Sequence, residues 1–106
     1  MIRPAATLLA ASLVGGCVAL PHPTPADADR ARLFWPEADV ASLEAGREIF
    51  VQRCAGCHAL PLPRQHTPAQ WPAVVFLMGH RKKLGAAELQ AIERYLVTLA
   101  GRPSDL

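Results

Sequence analysis

Cysteine is scarce in this 106-residue chain, with three in all, and two of them, Cys54 and Cys57, share one five-residue motif. The third, Cys17, lies far upstream in a leader-like stretch, so no pair remains for a structural disulfide. A dominant charge sign is missing as well. Eleven Lys and Arg face nine Asp and Glu, for a net charge of +2, which gives no electrostatic case for nucleic acid. The apolar run at residues 5–14 has ten residues, too few to cross a bilayer. Strands alternating with helices are not evident, which removes the βαβ setting of a thioredoxin-like site. No nucleophile–base pair or paired carboxylates gather near the cysteines, so an enzyme is not expected. The length allows one domain.

What is present is Cys54-Ala55-Gly56-Cys57-His58. Two cysteines three apart and followed at once by histidine read as a c-type haem attachment site. On a helical turn residues i and i+3 share a face, so both sulfurs can bond along one porphyrin edge. His58 then falls under the ring as an axial ligand to iron. Two other chemistries use Cys-x-x-Cys: a redox disulfide, and half of a zinc site completed by His66 or His80. A histidine directly after the second cysteine is unusual for zinc. A domain of about 65 residues is marginal on apolar burial alone, and covalent haem would act as its staple.

Residues 1–16 have the form of a secretory signal, with Arg3 ahead of the apolar run. The sequence Leu13-Val14-Gly15-Gly16-Cys17 resembles a bacterial lipoprotein box, which implies lipidation of Cys17 and a membrane anchor on the periplasmic side. An ordinary signal-peptidase cut after Ala19 is the alternative. Residues 17–38 then read as a Pro-rich tether, with Pro21, Pro23, Pro25 and Pro36. In extended polyproline form, about 18 such residues at ~3.1 Å each would reach on the order of 50 Å. Leu33-Phe34-Trp35 interrupts the polar run and is expected to dock on the domain that occupies residues 39–106.

Within that domain Asp39 can cap a helix running to about Arg53, with Leu43, Gly46, Ile49 and Phe50 at helical spacing. Residues 59–66 carry Pro61 and Pro63 and must be loop. Thr67-Pro68-Ala69-Gln70 has the form of a capping box. A second helix should therefore begin at Thr67 or at Pro72 and continue to about Gly79. The clearest helix opens at Gly85, keeps Leu89, Ile92, Leu96 and Leu99 on one face, and ends at Gly101.

Gly46 and Phe50 stand eight and four residues before Cys54, and Tyr95 lies on the last helix. In these positions the chain resembles class I cytochrome c over residues 40–101. The resemblance implies an all-α domain of three main helices around one covalently bound haem c, with the first helix crossing the last at Gly46. It also implies a backbone carbonyl in the loop, at Pro61 or Pro63, that orients His58. Arg64 and Trp71 are candidates to meet the haem propionates.

Opposite His58, Met78 is the favoured axial ligand. It shares a helical face with Trp71, Val74 and Val75 and is the only methionine beyond the leader, 20 residues after His58. His80 is the rival, with His66 and His22 weaker. Arg81-Lys82-Lys83 could steer an acidic redox partner. The expected role is single-electron transfer among envelope redox proteins. The alternatives are a haem-based sensor or ligand-binding protein, and a haem relay subunit of a larger redox enzyme.

Overall fold

A computed structural model describes residues 20–54 and 60–103. Among the described residues the regular structure is entirely helical: α1 (Pro25–Ala31), α2 (Val40–Cys54), a 3-10 turn (Pro63–Gln65), α3 (Trp71–Lys82) and α4 (Ala86–Ala100). Each of the other four elements contacts α4.

The helix starts follow local chemistry. At α2, Ser42 N–H donates to Asp39 Oδ1 (2.7 Å) and Asp39 N–H donates to Ser42 Oγ (3.0 Å), which satisfies amide donors that the helix itself leaves unpaired. At α4, Gly85 N–H donates to Glu88 Oε1 (3.3 Å). Before α3, Thr67 N–H donates to Gln70 Oε1 (2.9 Å) and Gln70 N–H to Thr67 Oγ1 (3.3 Å). This box closes a turn over residues 67–70, and the helix proper begins at Trp71. Pro72 sits within the first turn of α3, where its missing N–H costs nothing. The helix runs on to Lys82, past the expected end at Gly79.

The core is built on α4. Phe50, Trp71, Val75, Ile92, Tyr95, Leu96 and Leu99 form one buried cluster, joined by Leu20. Removing a side chain of this size from water contributes about 1.5–3 kcal/mol. At the centre α2 crosses α4 so closely that a Cβ on Gly46 would lie 2.1 Å from the Ala91 carbonyl oxygen and 3.1 Å from Tyr95 Cβ. A second close approach joins α3 to α4, where a Cβ on Gly79 would lie 1.9 Å from Leu89 Cδ2. Lys83 ends α3 in the left-handed region (φ 56°), and Leu84 N–H donates back to the Gly79 carbonyl (3.0 Å).

The segment expected as an extended arm is folded from Leu20 onward. Thr24 and Asp27 cap each other, with Thr24 N–H donating to Asp27 Oδ2 (2.7 Å), and Pro25 starts α1. Ala28, Ala31, Ala38 and Leu43 form a second buried cluster between α1 and α2, flanked by Trp35 and Val40. Tyr95 Oη donates to the Pro21 carbonyl (2.6 Å) and Arg47 Nε to the Leu20 carbonyl (3.1 Å). The extended polyproline conformation is thus corrected for residues 25–31. Its physical reason is a capping box that satisfies the first amides, together with a carboxylate that the body can neutralise.

That carboxylate is Asp27, only 1% exposed. It accepts from Arg102 Nε (3.0 Å) and Nη2 (2.6 Å) and from Arg30. Burial works against its charge and is the largest single influence. The hydrogen bonds from Arg102, Thr24 and Arg30 together outweigh burial and hold the carboxyl well below the usual carboxylate range. Arg102 Nη2 also donates to the His22 carbonyl (2.8 Å), which ties the segment to the end of α4.

Candidate cofactor site

Cys54 is the last residue of α2 and the first of the motif. Its side chain is half-buried against the main core cluster. Burial pushes its thiol up, while the charges of Lys82 and Arg53 pull the other way. α3 also packs against α2. Arg53 reaches across to Glu88 at the start of α4 (3.7 Å). The motif therefore begins where the end of α2 meets the start of α4. Cys57 and His58 lie outside the described residues, as does Cys17.

Leu60 also packs against the core, as do Leu62, Val74, Met78 and Leu84. The loop after it is fixed by one buried bond. Trp71, with no exposed surface, donates its indole N–H to the Pro63 carbonyl (2.7 Å). That bond uses the only side-chain donor Trp71 has, and it holds the loop. Arg64 is also drawn elsewhere, donating to the carbonyls of Pro103 (2.9 Å) and Arg102 (3.4 Å). Pro61 is half-buried.

The candidate axial ligands on α3 divide cleanly. Met78 lies on the face that carries Trp71, Val75 and Gly79 and is packed against the core. His80 is exposed and stacks on Phe76, with ring centroids 6.4 Å apart and planes at 18°. One helix cannot turn both residues to the same neighbour. His66 sets its ring edge-to-face on Trp71 at 4.8 Å. His22 pairs with Glu44 (2.9 Å) at the surface. Among the described residues, no three His, Cys, Asp or Glu side chains come together as a metal site.

No protein-family model matches the chain, and no curated protein or solved structure matches it.

The donors present suit a covalently held porphyrin. A thiol stands at a helix end, a thioether faces the core on a neighbouring helix, and Leu60, Leu62, Val74 and Leu84 pack against the same core cluster. Gly46, Phe50 and Tyr95 meet where α2 and α4 cross, with Phe50 and Tyr95 fully buried. Two features escaped sequence reasoning. The Gly79–Leu89 approach had a signal in the glycine inside an apolar helix. The Asp27 cluster had one in Thr24-Pro25-Ala26-Asp27, the same form as the box at Thr67.

Proposed function

We propose that this chain is an exported, lipid-anchored mono-haem electron carrier resembling class I cytochrome c. The observation that carries the reading is the motif's placement. Cys54-Ala55-Gly56-Cys57-His58 starts at the end of a helix that crosses the last helix through Gly46, beside Tyr95, while Met78 faces the core on α3. Cys54 and Cys57 would hold the group through thioethers, with His58 and Met78 on its two sides. The haem, when bound, supplies a one-electron ferric/ferrous couple.

The chain's own residues supply the rest. Leu60, Leu62, Val74 and Leu84, which pack against the core, would shield the bound group from water, and such a shell tunes a metal's potential. The bond from Trp71 to Pro63 holds the loop that follows His58. The exposed Arg81 and Lys82, with Lys83 at the helix end, offer a cationic face to an acidic redox partner of the envelope. Among the described residues no helix is long and apolar enough to cross a membrane, and Cys17 is the anchor in this reading.

The test is a pyridine haemochrome and redox-difference spectrum of protein made with a haem-maturation system. Covalent haem with a thioether-ligated, low-spin iron is expected. Met78→Ala should lower the reduction potential and give a high-spin iron open to ligands, whereas His80→Ala should leave the spectrum unchanged. Colourless protein with free thiols at Cys54 and Cys57 would overturn the reading. Ready binding of carbon monoxide by the ferrous protein at neutral pH would favour a sensor instead.

A further inference from the structure

Of Leu33-Phe34-Trp35, only Trp35 docks. Leu33 is 80% exposed and Phe34 73%, more than any other exposed large apolar side chain among the described residues. They are adjacent at the turn that follows α1, and the turn is held firmly. Leu33 N–H donates to the Arg30 carbonyl (3.1 Å), while Phe34 and Trp35 N–H both donate to the Ala31 carbonyl (3.0 and 2.9 Å). Trp35 is wedged behind them, half-buried, with the Arg94 guanidinium 5.3 Å from its ring centre. The backbone that presents Leu33 and Phe34 is thus committed to hydrogen bonds that keep them outward.

Beneath them runs an apolar groove of about 570 Å³, floored by Ala31, Trp35, Pro68, Ala69 and Val97. Two adjacent large apolar side chains continuous with such a groove mark an interaction surface. Arg32, beside the pair, is neutralised by Asp29 and donates to the Ala38 carbonyl (3.0 Å), so the attraction this surface offers is apolar.

The chain upstream identifies the occupant. Leu20 is buried in the main core, and its carbonyl and that of Pro21 are held by Arg47 and Tyr95. Cys17 lies three residues before Leu20, a span of at most about 11 Å even when extended. If Cys17 bears the anchor, the domain is mounted close to the bilayer and cannot swing away on a long arm.

We propose that Leu33 and Phe34 insert into the lipid surface that holds the anchor, forming a second contact that fixes the orientation of the domain. The proposal rests on the lipid anchor at Cys17 in the functional reading above. With two contacts, the haem-bearing site keeps one attitude toward partners in the same membrane.

The experiment uses the mature protein carrying Pro36→Cys, labelled with a nitroxide and seated on vesicles of phosphatidylethanolamine and phosphatidylglycerol, with the iron reduced. Power-saturation resonance then compares collisions with oxygen and with a water-soluble nickel chelate. On vesicles the label should become oxygen-rich and chelate-poor. Adding Leu33→Ser and Phe34→Ser should return it to water-like values while the helix content, read by circular dichroism, is unchanged. A label that stays water-like on vesicles overturns the proposal, as does immersion that survives the double substitution. Mass analysis of Cys17 separates the two readings. Acylated protein with a water-like label refutes the insertion and leaves the anchor standing. Unacylated protein that still shows immersion, lost in the double variant, refutes the anchor and sustains the insertion.

Discussion

The segment at residues 20–38 and the body formed by α2, α3 and α4 are ordered by different chemistry. The body buries Phe50, Trp71, Tyr95 and a row of aliphatics, and its helices approach to backbone contact at Gly46. The segment brings mostly alanines to its own cluster and depends on one buried carboxylate with two arginines and on carbonyls caught by Tyr95, Arg47 and Arg102. A stretch poor in large apolar residues can therefore be ordered when its polar groups are individually satisfied. The body should respond to changes of volume, and the segment to changes of charge.

The sharpest way to break that contrast is Gly46→Val. A side chain there meets the Ala91 backbone, which cannot yield as a flexible side chain would, so a loss of at least about 3 kcal/mol is expected. Denaturant unfolding should show it across the whole molecule.

Next in size is Asp27→Ala, which strands two arginines and should cost about 2–3 kcal/mol. This lies below the ~3–5 kcal/mol of a fully buried broken pair, because Arg30 and Arg102 are 30% and 27% exposed and can regain water. Amide exchange should rise first in residues 20–38 while the centre of α4 stays protected. The pH dependence follows in sign. The folded carboxyl titrates below the unfolded one, whose value is near ~3.9. Its contribution is complete above that value and is lost as pH falls from there through the folded pKa. Amide protection in residues 20–38, taken relative to the intrinsic exchange rate at each pH, should fall below about pH 4, and Asp27→Asn should flatten that response.

Smaller effects come from the two boxes that share Thr-Pro-Ala. Thr24→Ala should cost about 1 kcal/mol or more, since its hydroxyl also donates to the buried Asp27 (2.9 Å). Thr67→Ala should cost about 0.5 kcal/mol, because that box closes an exposed turn. Equal losses in thermal melts would show that burial of the partner is irrelevant. The smallest effect is a gain. Lys83→Gly relieves a left-handed residue at the end of α3 and should stabilise by about 0.5 kcal/mol, after allowance for the freer unfolded chain.

Much of the body was legible in the chain. Asp39, Thr67 and Gly85 announce their turns through partners three residues away, and the spacing of Ile92, Leu96 and Leu99 marks the buried face of α4. The box at Thr24 carried the same information, yet Pro21, Pro23 and Pro25 suggested an extended arm instead. Proline at the first helical position supports a helix as readily as it supports polyproline, and the deciding factor was Asp27 with Arg102, 75 residues apart. Nothing local distinguishes an aspartate that will be buried from one that will be solvated. The same limit applied to Trp71, whose indole found Pro63, and to Leu33 and Phe34, whose turn left them facing outward.

By itself, the sequence determined where α2 and α4 begin, that the chain carries Cys54-Ala55-Gly56-Cys57-His58, and that Met78 and His80 stand on different sides of one helix. These depend on bonds and angles spanning a few residues. Only the tertiary structure decided which side of α3 faces the core, whether residues 20–38 lie free or folded, and which arginines neutralise Asp27. Those outcomes depend on desolvation, and a group is desolvated by neighbours that only the folded chain brings to it.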